Sequence, residues 1–341
     1  MTASGLLPLA VLGSSLLPGV VIFFLREESI RLRTVLNLAG ATVKLVLVAL
    51  MLWGVSRGQT FETRLPFLPG LDLHFAADPL SLLFVTLSAL LWLLTTIYAV
   101  AYLEDSPNRS RFFGFFSLCV TATVGLALAG DLMTFVVCYE LLTLSTYPLV
   151  VHRGTEAACR AGRSYLLYTF CGGALLLTGA AWLYTVTGTL EFTARGFTGA
   201  HGAGRETELV VIFALLVAGL GVKAALVPLH GWLPQAMVAP APVSALLHAV
   251  AVVKAGAFGI VRVVYDVFGI GLAAELGVTG PLALAASATI VYGSVRALFQ
   301  NDLKRRLAYS TVSQVSYIAL GVAIASPVAT IGGIVHLVHQ G

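Results

Sequence analysis

Residues 209–262 read LVVIFALLVAGLGVKAALVPLHGWLPQAMVAPAPVSALLHAVAVVKAGAFGIVR, and the rest of the chain is organised around this stretch. Two strongly apolar segments are joined by a proline-rich turn, and each contains one lysine, Lys223 in the first and Lys254 in the second. Pro228 follows Lys223 by five residues. A proline removes a backbone donor and clashes with the preceding helical turn. We therefore predict a discontinuous helix that breaks near Lys223 and leaves backbone carbonyls in need of partners.

The composition predicts a polytopic membrane protein. The chain is 58% hydrophobic and 11% charged, and apolar runs of about 20 residues recur along it. A lysine at the centre of such a run costs roughly 2.5–3.5 kcal/mol on insertion scales, so two of them indicate a function. No basic stretch with interleaved aromatic residues supports nucleic-acid binding. The four cysteines form no C-x-x-C pair, so neither a metal site nor an iron–sulfur cofactor is predicted.

We predict an all-α bundle of about ten complete transmembrane helices, followed by an incomplete eleventh, with residues 1–341 forming one integral membrane domain. The predicted spans are 5–25, 34–54, 79–102, 113–129, 131–151, 163–186, 208–227 with a short second piece to 238, 243–267, 280–299 and 306–325. The eleventh starts near Ala329, and only 14 residues follow Pro327. At about 1.5 Å per residue this is too short to cross roughly 30 Å of hydrocarbon. We expect a fragment, a truncated gene, or completion of the layer by another subunit.

Basic residues indicate the orientation. The odd-numbered connections carry most of them: Arg26, Arg31, Arg33, Arg109, Arg111, Arg153, Arg160, Arg163, Lys304, Arg305 and Arg306. The even-numbered connections hold little beyond Arg57, Arg64, Arg195 and Arg205. The positive-inside rule then places the odd connections in the cytoplasm and the N-terminus outside. Because no cationic segment precedes the first apolar run, we expect a retained first helix and not a cleaved signal.

Glu140 lies inside the fifth predicted span, with Thr143 and Tyr147 on the same helix face. An isolated ionised carboxylate would be costly there, so we expect it to be protonated or paired with a lysine. Our hypothesis is that Glu140 pairs with Lys223 and, by moving or gaining a proton, switches the proton affinity of Lys223, which passes its proton to Lys254. The alternative is a static ion pair that only fixes helix packing, and the additional lysine disfavours it.

Histidines are further candidates. His230, in the broken piece, and His248, in the eighth span, are candidate relays because imidazole titrates near neutral pH. Their alternative role is hydrogen bonding between helices. His336 and His339 are spaced i, i+3, which would suit a metal only with a third ligand that the sequence does not offer.

The tenth span carries one polar stripe, formed by Ser310, Ser313, Gln314 and Tyr317 at i, i+3, i+4 and i+7. Lipid cannot satisfy these groups, so we expect the stripe to face protein or water. It would line a hydrated channel, or it would supply interhelical hydrogen bonds worth only about 0.6 kcal/mol each. The sequence leaves both open. Asp78 and Asp131 are predicted to cap the third and fifth spans.

Three stretches, KAALVPLHGWLPQAMVAPAPVSALLHAVAVVKAG, DLMTFVVCYELLTLSTYPLV and NDLKRRLAYSTVSQVSY, resemble the antiporter-like proton-pumping family. This family includes the large membrane-arm subunits of complex I, membrane-bound hydrogenase relatives, and the large subunits of multi-subunit sodium/proton antiporters. The resemblance extends from about residue 75 onward. The stretch AMVAPAPVSALLHAVAVVKAG is nearest to the D-type antiporter and hydrogenase branches.

The resemblance implies about fourteen helices with two inverted five-helix repeats, each containing a broken helix. On this pattern residues 1–102 are N-terminal helices, 113–267 the complete first half-channel, and 280–341 an incomplete second repeat that ends before its own broken helix. Glu140, Lys223 and Lys254 match the glutamate and lysines of the family, His248 a polar position often occupied by histidine, and His336 the histidine of the eleventh helix.

The family implies a subunit that moves protons, and sodium in an antiporter, in complex with other membrane subunits of a prokaryotic plasma (inner) membrane. One function is cation/proton antiport. Another is energy coupling in an NADH-quinone oxidoreductase or hydrogenase, with all redox chemistry in partner subunits because this chain has no cofactor motif. A third is a truncated structural membrane module.

Overall fold

The structure is a computed structural model that describes residues 3–68, 71–104, 106–200 and 204–340. From the N-terminus it forms α1 (Ala3–Phe23), α2 (Ile30–Ser56), β1 (Glu62–Leu68), β2 (Leu71–Ala76), α3 (Pro79–Tyr102), α4 (Arg109–Ala127), α5 (Leu132–Val150) and α6 (Glu156–Thr187). It continues with α7 (Glu206–Lys223), α8 (Trp232–Ala236), α9 (Ala241–Ala245), α10 (Val252–Arg262), α11 (Ile270–Glu275), α12 (Thr279–Leu298), α13 (Leu303–Ala323) and α14 (Pro327–His339). Two π-helical segments, Leu246–Val250 and Val263–Phe268, flank α10.

The predicted all-α polytopic bundle is confirmed. Within the described residues, eight helical segments are long and apolar enough to cross a membrane, judged by length and composition. They correspond to predicted spans one to six, eight and nine, and α3 has the same bounds as its prediction. The seventh and tenth predicted spans are α7 and α13, which are comparably long but more polar. The short α14 begins at Pro327, close to the predicted start of the eleventh.

Aspartates begin three of these helices. Asp78 Oδ1 accepts a hydrogen bond from the Ser81 amide at 2.8 Å, and Asp131 Oδ1 accepts one from the Thr134 amide at 2.6 Å. A capping carboxylate satisfies an amide that has no partner inside the helix. Both predicted caps are confirmed, and Asp302 caps α13 in the same way. Asp131 is 8% exposed, and burial raises the pKa of its carboxyl against the opposing effect of the Thr134 hydrogen bonds.

The described residues divide into two compact units. One lies within Met1–Ala158 and Ala239–Ala251, and the other within Cys159–Val238 and Val252–Gly341. In the first unit α1 packs on α2 and α4, α2 packs on α3, and α4 packs on α5. In the second unit α10 packs on α7 and α13, and α13 packs on α12 and α14. The inverted repeats implied by the family resemblance stay a prediction.

The two strands lie inside the predicted polar connection 56–78, for which no regular structure was predicted. They are antiparallel, with Arg64 opposite His74. The His74 amide donates to Thr134 Oγ1 at 2.8 Å, and the Ala76 amide donates to the Leu128 carbonyl at 2.7 Å. The strand pair is therefore fixed to the turn between α4 and α5.

Helix α2 is polar inside and apolar outside. Its buried residues include Arg33, Asn37 and Lys44, whereas Val35 is 60% and Val46 is 55% exposed. In water this arrangement would be inverted, because burying apolar side chains is the main driving force of folding. It is the arrangement expected of a helix that faces lipid on one side and a polar interior on the other.

Candidate functional site

The second unit contains the predicted broken helix. Helix α7 ends at Lys223, whose side chain is fully buried, and Ala225 has a positive φ of 58°. Positive φ is uncommon for a residue other than glycine and marks a genuine change of chain direction. The predicted break near Lys223 is confirmed.

Backbone groups released by the break find partners nearby. The Val222 carbonyl accepts hydrogen bonds from the Ala225 amide at 3.1 Å and from Trp232 Nε1 at 2.7 Å. The Val227 amide, next to Pro228, donates to Thr289 Oγ1 at 3.0 Å. An unsatisfied backbone group in hydrocarbon costs several kcal/mol. These bonds therefore stabilise a helix that stops beside Lys223, and they explain why Trp232 follows the turn.

Helix α10 lies directly against the break. A Cβ atom added to Gly256 would be 2.2 Å from the Ala224 amide nitrogen and 2.8 Å from the Lys223 carbonyl carbon. Only glycine permits two backbones to approach so closely. Lys254, two residues earlier on α10, is fully buried and donates from Nζ to the Leu337 carbonyl at 3.0 Å. The structure thus brings the helix of one buried lysine into contact with the break at the other.

Two predicted relay histidines of this unit lie against aromatic rings. The His230 ring is half-buried, with its centroid 4.9 Å from that of Tyr292 and 6.2 Å from that of Tyr309. His336, on α14, is half-buried with its ring centroid 5.3 Å from that of Tyr317 on α13. His336 also precedes Leu337, whose carbonyl binds Lys254.

The polar stripe of α13 is unevenly buried. Ser313 is 2% exposed and its hydroxyl lies 2.9 Å from that of Ser294 on α12. Ser310 and Gln314 are half-buried, and Tyr317 is 43% exposed. The stripe therefore meets protein at Ser313 and is open at Tyr317.

Glu140 and His248 belong to the first unit. Glu140 is half-buried on α5, and Thr143 on the same face is fully buried and donates to the Tyr139 carbonyl at 3.3 Å. His248 is half-buried in the π-helical segment Leu246–Val250, a kind of turn that often occurs at functional sites. The pairing of Glu140 with Lys223, which lies in the other unit, stays a prediction.

Buried charges outside the central stretch were not predicted from the sequence. Lys44, in the middle of α2, is fully buried. Its signal was the one used for Lys223, a lysine within an apolar run, but no proline or motif drew attention to it. Arg262, at the end of α10, is 3% exposed and its Nη1 lies 2.6 Å from Asp266 Oδ2. In the described part of the chain, no three histidine, cysteine, aspartate or glutamate side chains are grouped so that they could hold a metal.

A helical membrane bundle with a broken helix and buried lysines defines the class of protein, and comparison with known proteins defines the family. The family model described as NADH:quinone oxidoreductase/Mrp antiporter, TM matches residues 129–341. A second, described as NADH-Ubiquinone oxidoreductase (complex I), chain 5 N-terminus, matches residues 70–113. The chain belongs to the NADH:quinone oxidoreductase/Mrp antiporter family of transmembrane proteins, so the predicted family is confirmed.

Relatives from both branches are similar to the chain. NADH-quinone oxidoreductase subunit N of Desulforudis audaxviator is 35% identical over 281 residues, or 80% of this chain and 54% of that protein. A probable K(+)/H(+) antiporter protein of Rhizobium meliloti is 33% identical over 84% of this chain and 28% of its own length. The chain therefore spans about half, or less, of these relatives. In the structure of the Mrp complex from Dietzia sp. DQ12-45-1b, one chain matches with a TM-score of 0.85 at 28% identity, over 99% of this chain and 62% of that one.

Proposed function

We propose that this chain is the proton-translocating membrane subunit, or part of it, of a multi-subunit cation/proton antiporter or of a respiratory or hydrogenase-type complex. The observation that carries the proposal is the buried Lys223 at a helix break, with the helix of buried Lys254 packed directly on it. A lysine ammonium is the side-chain cation that can release its proton, whereas an arginine retains it.

The proposed relay runs from Glu140 through Lys223 to Lys254. Two ammonium groups held on touching helices repel each other in a medium of low dielectric constant, so a proton on one disfavours a proton on the other. A carboxylate that approaches Lys223 would favour its charged form, and one that withdraws or is protonated would release the proton. Helix breaks beside buried charges are a recurrent construction of ion sites in transporters.

Candidate acceptors beyond the lysines are the histidines and the polar stripe. His336 lies one residue from the carbonyl that Lys254 binds, and Ser313 is bonded to Ser294 on the adjacent helix. Imidazole both donates and accepts protons near neutral pH. We propose that His336, His230, His248 and the stripe residues Ser310, Ser313, Gln314 and Tyr317 extend the relay or line its water.

Antiport and redox coupling are separated by the driving force. The protein, purified with whatever subunits copurify, is reconstituted in vesicles that contain a pH-sensitive dye. Sodium- or potassium-driven proton movement supports the antiporter function. Proton movement only on addition of an electron donor and quinone, with flavin or iron–sulfur subunits present, supports the energy-coupling function, which the similarity to an NADH-quinone oxidoreductase subunit favours. No proton movement under either condition would contradict both functions and leave the structural module.

A further inference from the structure

A second buried lysine site lies among α1, α2, α3 and α4, away from the residues of the proposed relay. Lys44 is fully buried on α2, and its Nζ donates to Ser15 Oγ on α1 at 2.6 Å. The Ser15 hydroxyl lies 2.8 Å from Thr121 Oγ1 on α4. Lys44 Nζ also lies 4.8 Å from the ring centroid of Trp92 on α3. Side chains from all three neighbouring helices therefore converge on one amine.

No carboxylate lies on these four helices. Helices α1 and α3 contain no charged residue, α4 contains only Arg109 and Arg111, and α2 adds only Arg31 and Arg33 to Lys44. A structural lysine in a membrane interior is normally paired with an acid. Lys44 instead meets a hydroxyl and an aromatic face, which are weaker partners for a fixed charge.

The hydroxyl pair can satisfy both protonation states of the amine, because serine and threonine hydroxyls donate and accept and their hydrogens rotate. When Lys44 is protonated it donates to Ser15, Ser15 donates to Thr121, and Thr121 donates to the Ser117 carbonyl at 2.9 Å. When Lys44 is neutral, Ser15 can donate to its lone pair and Thr121 can donate to Ser15. A lysine that only held helices together would need the first arrangement alone.

A line of hydrogen bonds leads from this cluster to the Arg33 end of α2. Ser117 Oγ donates to Asn37 Oδ1 at 3.3 Å, and Asn37 Nδ2 donates to the Arg33 carbonyl at 3.0 Å. The guanidinium of Arg33 donates to Ser110 Oγ at 2.9 Å. From Arg33 to Lys44 the helix rises by about 16 Å, roughly half of a hydrocarbon core.

The facing side of α3 adds polar atoms to this seam. Ser88 Oγ, Trp92 Nε1 and Thr96 Oγ1 are spaced at i, i+4 and i+8, are buried, and have no hydrogen-bond partner among the described residues. Buried polar atoms in proteins are normally bonded to protein or to internal water. This face is therefore suited to a hydrated seam beside Lys44.

We propose that Lys44 is a proton-binding site, loaded and unloaded through Ser15, Thr121 and water from the Arg33 end of α2. The proton is the ligand: it leaves the ammonium for the hydroxyl and water chain and returns by the same route. The site does not depend on the relay through Lys223, so either can fail without the other.

Trp92 provides the readout, since the charge it reports lies against its ring. Tryptophan fluorescence of the purified protein in lipid nanodiscs is titrated across the pH range in which its circular dichroism is constant. The curve of Trp92→Phe is subtracted to isolate Trp92 from the other three tryptophans. The wild-type difference is expected to contain one reversible step. Met51→Leu, a volume-conserving change on the buried face of α2, should keep that step.

Lys44→Met and Lys44→Arg should both lose the step. The arginine variant should remain at the emission of the protonated wild type because its guanidinium keeps its charge. If Lys44→Met does not fold, Lys44→Arg decides the same question. A step that persists in either folded variant, or a flat wild-type difference curve, would overturn the proposal.

Discussion

Lysine burial is the dominant feature at the scale of single residues. Lys44, Lys223 and Lys254 are all fully buried. The effective penalty for burying an ion is several kcal/mol even after relaxation. Three such residues in one chain are difficult to explain by packing, because a methionine or leucine of similar volume would avoid the cost. Their retention is best explained by a proton that comes and goes.

For Glu140 we predict that Glu140→Gln abolishes most proton movement and that Glu140→Asp keeps part of it. The amide cannot ionise, whereas the shorter carboxylate still can. The measurement is proton uptake by vesicles that contain equal amounts of assembled protein. Activity that is equal in wild type, Gln and Asp variants would instead favour an ion pair that only fixes packing.

For Lys254 we predict that Lys254→Arg lowers proton movement by about tenfold or more, at the lower end of what a lost proton carrier costs. Arginine can preserve the charge and a donor to the Leu337 carbonyl, but it does not release its proton. Lys304→Arg, a matched change at the predicted cytoplasmic end of α13, should leave the rate unchanged. Equal rates for the Lys254 and Lys304 variants would exclude Lys254 as a carrier.

Single residues differed in how well the sequence predicted them. Lys223 and Lys254 were predictable because an ionisable residue in an apolar run stands out and Pro228 marks the break. The contact of Lys254 with the Leu337 carbonyl was not predictable, since it joins residues 83 positions apart. The placement of Glu140 relative to Lys223 depends on how the helices are arranged, which the local pattern does not specify.

At the scale of elements, the break in α7 combines a sequence effect with a packing effect. Proline explains why the helix ends, but the bonds from Trp232 and Thr289 explain why the released backbone is stable there. The strands β1 and β2 were missed because each is short and their alternation is weak. The π-helical segments were missed because their hydrogen bonding has no local sequence signal.

Gly256 gives a prediction for this element. Gly256→Ala should place a methyl group against the backbone of the break and cost about 1–3 kcal/mol, as overpacking of a well-packed interior does. Thermal unfolding in detergent is expected to occur several degrees lower than in wild type. Gly280→Ala, in a helix with open space around the added atom, is the matched control and should be neutral or slightly stabilising. Indistinguishable melting of the two variants would mean that α10 does not touch the break.

At the scale of the whole molecule, the helix order was predictable from apolar runs and their boundaries, and α3 was predicted to the residue. The division into two compact units was not, because it brings Ala239–Ala251 together with the N-terminal helices across about 80 intervening residues. Hydropathy reports only which segments enter the membrane.

The orientation stays a prediction that labelling can test. In a background with the native cysteines replaced by serine, Gln59→Cys should react with an impermeant maleimide added to intact cells, and Asn301→Cys should react only after permeabilisation. Both positions are exposed and lie in connections between helices. The opposite pattern would place the N-terminus in the cytoplasm.

The most direct measurement is proton uptake by vesicles that contain the protein with its copurifying subunits, comparing wild type with Lys223→Ala and Lys223→Arg at equal assembly. The account predicts that both substitutions abolish uptake, the first because the carrier is gone and the second because its proton is not released. Uptake near the wild-type rate in either variant would contradict the claim that the lysine at the helix break carries the proton.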